Sequence, residues 1–118
     1  MGYIVEQFVS KNGRKPVMEF ILEQDEDTRE WLLSGIRQLG LNNGMIRNQN
    51  LETKHIRNKI FELKFKKLAV RILFSYHPVK RKIILLLHGV VKKRDALKPS
   101  DISVAEERYS IVKESGLV

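Results

Sequence analysis

The chain of 118 residues contains no cysteine, which excludes disulfide bonds and thiolate metal sites. Its apolar runs are short, and the longest, Ile83–Leu87, falls far below the roughly 20 residues of a membrane-spanning helix. No apolar segment follows a basic start, so we expect no signal peptide. These absences are compatible with a reducing cytoplasm, and we expect a cytoplasmic protein without a membrane partner.

The residue patterns of several enzyme classes are also missing. The chain has no glycine-rich phosphate loop, no Walker motif and no G-x-S-x-G nucleophile elbow. Its three histidines, His55, His77 and His88, have no carboxylate pair at the spacing of metal ligands. His88 lies inside an apolar segment, where a core or near-surface histidine is the simpler interpretation. We therefore predict no metal site and no cofactor.

Positive charge is abundant and unevenly distributed. The chain has 22 Lys and Arg against 14 Asp and Glu, a net charge of +8 and a pI near 9.9. Between Lys54 and Lys98 there are fourteen basic residues and two acids, Glu62 and Asp95. Such a balance points to a polyanionic partner, most often nucleic acid and less often an acidic protein or membrane surface.

Three consecutive β-strands are predicted in the basic segment: Ile60–Lys66, Ala69–Tyr76 and Ile83–Val91. Apolar and charged side chains alternate along the first strand, which puts Lys64 and Lys66 on one face. We expect one face of the sheet to pack on helices. The other is expected to be a shallow surface that exposes Lys64, Lys66 and Arg71 on rigid backbone, with Lys92 and Lys93 at its edge. This geometry suits a phosphate chain.

The remaining pattern predicts an α+β fold in one domain spanning 1–118: an N-terminal strand, two helices, an antiparallel three-stranded meander and a C-terminal helix. Pro16 and Pro99 mark helix starts, and Gly40 is expected to end the second helix. Trp31 is expected in the core. The Asn-rich stretch Leu41–Arg57 is interpreted as a loop. The C-terminal helix either lies on the sheet or projects to a partner.

Cations on a sheet suit one reaction in particular. RNA carries its own nucleophile, the 2′-OH, so an RNA-cleaving enzyme must position the strand, stabilise charge at phosphorus and transfer protons. Arg and Lys stabilise such charge directly, and a lysine among other cations can exchange a proton near neutral pH. A metal-free ribonuclease is therefore possible, although an RNA-binding sheet has a similar composition.

Several motifs follow one another at characteristic spacing: F-E-L-K (Phe61–Lys64), V-R-I-L-F (Val70–Phe74), I-L-L-L-H-G-V-V-K-K (Ile84–Lys93), then K-P-S-D-I and A-E-E-R-Y within Lys98–Tyr109. In this order they resemble the RelE/HigB toxin superfamily (RelE/ParE-like), and within it the phage-derived HigB-like branch. The match is good in the C-terminal half. The N-terminal half agrees in the order of elements and in length.

The resemblance implies a RelE-like fold and the toxin of a type II toxin–antitoxin module. Most such toxins cleave mRNA on the translating ribosome without a metal. Each is neutralised by a cognate antitoxin, often one of the helix-turn-helix type. The expected partners are therefore an antitoxin, the ribosome and mRNA.

The resemblance also implies site residues. Lys64 takes the place of the arginine in E-L-R, and Arg71 takes the phosphate-stabilising arginine of Y-R-I. Lys92 and Lys93 take the terminal K-K, and these four are the predicted catalytic residues. The RNA-binding residues predicted beside them are Lys66, Lys67 and Arg94.

Two departures from the family pattern bear on this assignment. Lysine at position 64 lacks the bidentate fork of arginine but exchanges a proton more readily, and Val70 replaces the usual tyrosine. Some superfamily members inhibit gyrase instead of cleaving mRNA. The alternative hypothesis is therefore a non-catalytic protein of the same fold that binds nucleic acid or a protein such as gyrase.

Overall fold

A computed structural model describes residues 2–92 and 96–115. Within these residues five strands and three helices follow one another: β1 (Ile4–Gln7), α1 (Pro16–Leu22), α2 (Glu26–Leu41), β2 (Leu51–Arg57), β3 (Ile60–Phe65), β4 (Val70–Tyr76), β5 (Ile83–Val91) and α3 (Pro99–Ser115). The predicted α+β class is confirmed, and so is the predicted order of the elements apart from one additional strand, β2. No helix of the described residues is long and apolar enough to cross a membrane.

The strands form one sheet in the order β1-β5-β4-β3-β2, in which β1 runs parallel to β5 and the other pairs are antiparallel. The meander therefore has four strands, because β2 occupies part of the stretch that was predicted as a loop. Leu51 is buried opposite Phe65, and the Thr53 hydroxyl accepts a hydrogen bond from the Ile46 N–H. As an edge strand with its outer half exposed, β2 carries polar residues that obscure its alternation.

Helices cover both faces of the sheet, so the prediction that one face is an open, shallow surface was wrong. On the α1/α2 face, a buried cluster joins the two N-terminal helices to the inward residues of β3, β4 and β5: Val17, Ile21, Leu32, Leu39, Leu63, Phe65, Ile72, Phe74, Ile84 and Leu86. On the α3 face, a smaller cluster consists of Phe8, Ile60, Leu73, Leu85, Leu87, Ala105 and Val112. The C-terminal helix thus lies on the sheet.

Two predictions about α2 were wrong. Trp31 is 39% exposed, because the buried stripe is formed by Leu32, Gly35 and Leu39 and leaves the preceding position at its margin. The helix also continues past Gly40 to Leu41. Gly40 instead permits close packing on β1, since a Cβ there would lie 2.9 Å from the Tyr3 carbonyl oxygen.

Candidate functional site

A row of charged side chains crosses the α3 face near the start of β4. Lys64 on β3 lies directly opposite Arg71 on β4, and Arg71 lies opposite Val90 on β5. Residues opposed in this way project from the same face of a sheet. Lys64 is half-buried and takes part in none of the ion pairs of the described residues. The strand register thus brings together the two central residues of the predicted site.

Arg71 is not the exposed cation that the sequence predicted, since only 7% of its surface is accessible. Its Nη1 donates to the carbonyl oxygens of Val70 at 2.8 Å and Leu68 at 3.2 Å. Its Nε lies 3.0 Å from Oε1 of Glu62. The two hydrogens on Nη1 are used by these carbonyl oxygens and Nε is buried, so of the five guanidinium hydrogens the two on Nη2 are left for a ligand such as a phosphate oxygen.

Glu62 is a part of the site that the sequence prediction missed. It is 4% exposed, and its carboxylate forms a buried ion pair with Arg71. The Nε–Oε1 contact is close but lacks the geometry of a hydrogen bond, so the attraction is chiefly electrostatic. The sequence did contain a signal for Glu62. It is one of only two acids in the basic segment, and the alternation of β3 places it on the same face as Lys64.

The end of β5 adds a third cation, Lys92, beside a cavity. The Lys92 backbone N–H donates to the Ala69 carbonyl oxygen at 2.8 Å, which ties the end of β5 to the start of β4. A cavity of about 660 Å³ opens here between β5 and the start of α3, lined by Val90, Val91, Lys92, Ala96, Leu97, Lys98, Ser100 and Asp101. Val90 joins this cavity to the row of Lys64 and Arg71. Lys93 and Arg94 lie outside the described residues.

The remaining predicted RNA-binding residues lie at the turn between β3 and β4. Lys66 is exposed, and its Nζ donates to the Asn48 carbonyl oxygen at 2.6 Å, so this ammonium group also holds the segment before β2. Lys67 is exposed in the turn itself. Both lie at the end of the sheet that carries Lys64, Arg71 and Lys92. The described residues of the predicted site therefore all lie at the same end of the sheet.

A polar cluster fixes α3 beside the cavity. His88 Nε2 lies 2.9 Å from Asp101 Oδ1, and its Nδ1 lies 3.4 Å from Nη1 of Arg108. The same Nη1 donates to the Leu87 carbonyl oxygen at 2.8 Å. Both ring nitrogens thus face partners within the protein, and the histidine joins the helix to the sheet. Within residues 2–92 and 96–115, no three His, Asp or Glu side chains are placed to hold a metal ion.

Comparison with protein families agrees with the resemblance noted in the sequence. The model of the family described as phage derived protein Gp49-like (DUF891) matches residues 19–110. The chain belongs to this Gp49-like family. The match runs from α1 into α3 and includes Glu62, Lys64, Arg71 and Lys92, and the family is one of RelE/ParE-like toxins. No curated protein matches the chain.

Proposed function

We propose that this Gp49-like protein is the toxin of a type II toxin–antitoxin system, of the HigB-like branch, and that it acts as a ribosome-dependent mRNA endonuclease. The observation that carries the proposal is the juxtaposition of Lys64 and Arg71 on adjacent strands, beside a cavity lined by Lys92 and Lys98. Such an arrangement of fixed cations is complementary to a phosphodiester whose charge increases in the transition state.

In the proposed reaction, the 2′-oxygen of the substrate forms a bond to the adjacent phosphorus and the bond from phosphorus to the 5′-oxygen breaks. The products are a 2′,3′-cyclic phosphate, which can open to a 3′-phosphate, and a 5′-hydroxyl. One proton leaves the 2′-OH and one reaches the departing 5′-oxygen. The substrate supplies the nucleophile, so the protein has to position the strand, neutralise charge and transfer protons.

The described contacts suggest how the work is divided. Arg71 is held by Glu62 and two carbonyl oxygens, so its Nη2 is the part of the guanidinium that can meet the phosphorane. Lys64 is assigned to binding the same phosphate or accepting the proton of the 2′-OH. Lys92 and Lys93 are assigned to holding the backbone or protonating the leaving group. Lys66, Lys67 and Arg94 are assigned to the flanking phosphates.

The proposal includes two partners. The ribosome presents the mRNA strand, so RNA in free solution should be cleaved poorly. A cognate antitoxin, of helix-turn-helix type in the HigB-like branch, neutralises the toxin. Translating ribosomes place the site of action in the cytoplasm.

The test is primer extension on a reporter mRNA in a purified translation system, with and without the protein. We expect discrete new 5′ ends that require ribosomes. Lys64→Ala should slow their appearance about 10²-fold or more, the usual effect of removing one preorganised charge-stabilising group. Lys11→Ala removes an equal charge at an exposed position outside the predicted site residues and should cleave as fast as wild type. Intact mRNA with folded protein would overturn the nuclease proposal.

One observation favours a second candidate, a non-catalytic protein that uses the same surface for binding. Arg71 is almost fully enclosed and already neutralised by Glu62, as expected of an arginine that stabilises the sheet. Under this alternative the protein binds its target without cutting RNA, and DNA gyrase is the target to assay. Inhibition of supercoiling by protein that leaves mRNA intact on the ribosome would favour it.

A further inference from the structure

We propose a second binding site for single-stranded RNA at the opposite end of the sheet, which none of the predicted site residues occupies. We call it the turn site and define it by the β2–β3 turn, 58–59, and the β4–β5 turn, 77–82, together with Tyr109 of α3. As an RNA contact the proposal rests on the proposed function, and it deepens that function by adding a second point of attachment.

The topology brings these two turns together. Because β3 runs antiparallel to β4, the start of β3 lies beside the end of β4, and Phe61 pairs with Phe74. The turns that precede β3 and follow β4 therefore meet at one edge of the molecule. The strand β4 extends from Val70 to Tyr76, so at about 3.3 Å per residue its end lies roughly 17 Å from Arg71.

The turn site carries its own group of cations: Lys59, Lys80, Arg81 and Lys82. All four are exposed. Lys80 Nζ lies 3.7 Å from Glu6 Oε1, a long contact that leaves the lysine side chain 44% exposed. The other three take part in none of the ion pairs of the described residues. Cations left without partners at the tip of two rigid turns form an electrostatic footprint for a phosphate chain.

Lys82 also has an uncommon backbone conformation. Its φ of 58° lies in the left-handed region, where a side chain costs about 1 kcal/mol or more relative to glycine. The turn therefore keeps a lysine at a position where glycine would be less strained. This observation does not define a ligand, but it provides a test variant, because Lys82→Gly removes the charge without adding strain.

An aromatic cavity lies between the two turns. Its volume is about 390 Å³, within the range of small-ligand sites, and it is lined by Asn58, Lys59, Phe61, Tyr76, His77, Pro78 and Tyr109. A smaller cavity of about 200 Å³ adjoins it and shares Asn58, Lys59 and Tyr109. Flat rings beside a lysine are the features with which proteins hold an unpaired base and its phosphate.

His77 is a fixed and neutral part of this wall. Its Nδ1 accepts the backbone N–H groups of Val79 at 3.1 Å and Lys80 at 3.0 Å, so Nε2 carries the proton. Burial lowers the pKa of His77, which keeps the ring uncharged at neutral pH. Within the described residues the buried Nε2–H has no hydrogen-bond partner. The ring therefore contributes a fixed, uncharged surface to the cavity wall.

These features together favour a single-stranded nucleic acid over an acidic peptide. An acidic peptide would need the cations alone, whereas an extruded base also uses the aromatic cavity. Duplex RNA is disfavoured because its stacked bases cannot enter a cavity. The turn site therefore fits an unpaired nucleotide within a single strand or a loop, with the flanking phosphates on Lys80, Arg81 and Lys82.

The experiment measures the affinity for a fluorescent single-stranded 2′-O-methyl RNA, which lacks the nucleophile and cannot be cleaved, at several salt concentrations. Lys80→Ala/Arg81→Ala/Lys82→Gly is compared with Lys11→Ala/Lys15→Ala/Arg37→Ala, which removes three exposed charges that are not part of the turn site. The first variant should make the log–log salt slope less steep by about 2, because each phosphate that is no longer neutralised reduces the slope by roughly 0.7. The second variant should keep the wild-type slope.

Aromatic stacking is tested separately. Tyr109→Leu keeps apolar volume against the α3 cluster but removes the ring, and it should weaken binding by about 5- to 150-fold, the effect of losing one stacked base. Tyr109→Phe keeps the ring and should bind like wild type. If the triple turn variant and Tyr109→Leu both bind the RNA with wild-type affinity, the turn site is refuted.

The outcome is independent of cleavage, because the probe cannot react. A protein that binds through the turn site but leaves mRNA intact would contradict the proposed nuclease and keep this inference. A protein that cleaves mRNA on the ribosome, with binding unaffected by the turn variants, would contradict this inference and keep the nuclease.

Discussion

Replacing Glu62 by Gln tests the feature on which any role of Arg71 depends. The substitution preserves the shape of the side chain but removes the charge that lies 3.0 Å from the Arg71 guanidinium. The side chains of Glu62 and Arg71 are only 5% and 9% exposed. Arginine cannot lose its proton in a protein, so the variant retains a nearly enclosed cation that no carboxylate neutralises.

The magnitude follows from this burial. At an effective dielectric constant near 20, two unit charges 3.0 Å apart attract by about 5 kcal/mol, which is partly offset by their desolvation. Removing one partner of a buried pair lowers the free energy of unfolding by about 3–5 kcal/mol. For a domain of this size, with each kcal/mol worth roughly 4 °C, we expect Tm to fall by about 10–20 °C.

A double-mutant cycle that consists of Glu62→Leu, Arg71→Met and the double variant gives the matched comparison. Glu62→Leu/Arg71→Met replaces the pair by apolar groups, and such replacements are often neutral or stabilising. We expect the double variant to lie within about 1 kcal/mol of wild type in urea unfolding, and hence a large coupling energy. A Glu62→Gln protein about as stable as wild type, or single losses that simply add in the double variant, would refute the burial argument.

The result also governs how cleavage by Arg71 variants is interpreted. Arg71→Ala leaves Glu62 buried without its cation, so lost activity could reflect an unfolded protein. The double variant keeps the fold while removing the guanidinium. Cleavage that disappears in the stable double variant would assign a catalytic role to Arg71, and cleavage that persists would remove Arg71 from the site.

Three further predictions concern packing and pH. Gly35→Ala should lower the free energy of unfolding by about 1–3 kcal/mol despite its better helix propensity, because the new Cβ would lie 2.4 Å from the Phe65 ring. Ser34→Ala, at an exposed position of the same helix, is the control. Equal stability of the two variants would argue against this packing. Burial lowers the pKa of His77, so the unfolded chain binds this proton before the folded protein does, and the free energy of unfolding falls as the pH drops below about 6.5. His77→Asn, whose amide oxygen can still accept the turn N–H groups, should lose less stability between pH 7 and 5.5 than wild type. An equal loss of stability in both proteins would contradict the assignment. Hydrogen bonds from Arg57 and Asn58 lower the pKa of Glu106, so the stabilisation by the ionised carboxylate is present above about pH 4.5 and is lost as the pH falls further. Between pH 5.5 and 3.5, Glu106→Gln should lose less stability than wild type. Identical pH profiles of the two proteins would contradict this role of Glu106.

The fold could be predicted where the sequence pattern is local. Pro16 and Pro99 start helices as expected, and the Asp25 side chain accepts the Thr28 N–H at the N-terminus of α2. Alternation also assigned the faces of β3 correctly, since Leu63 is fully buried while Lys64 is half-buried on the other side. These features depend on neighbouring residues in the chain, so one sequence is sufficient to find them.

Features that depend on strand pairing could not be predicted in the same way. The strand β2 is specified by its pairing with β3 and by contacts such as Thr53 to Ile46, and its own polar composition resembles a loop. The burial of Arg71 depends on register, because Glu62 is paired with Leu73 and so lies diagonal to Arg71 across the two strands. Diagonal neighbours come within reach of long side chains, but only a known register identifies them.

The same register explains why Lys64 and Arg71 are not equivalent despite their opposed positions. Nη1 of Arg71 is bound to carbonyl oxygens and Nε is buried beside Glu62, which leaves a single nitrogen for a phosphate. Lys64 has no ion pair in the described residues and carries its charge on one nitrogen. Each therefore offers one point of contact instead of a bidentate fork. Two point contacts orient a phosphate less strictly than a fork does, so further contacts have to fix the strand. The ribosome in the proposed function and the turn site in our further inference would each supply such contacts. The protein can therefore bind free RNA with measurable affinity and still cleave it slowly, because the ribosome is absent.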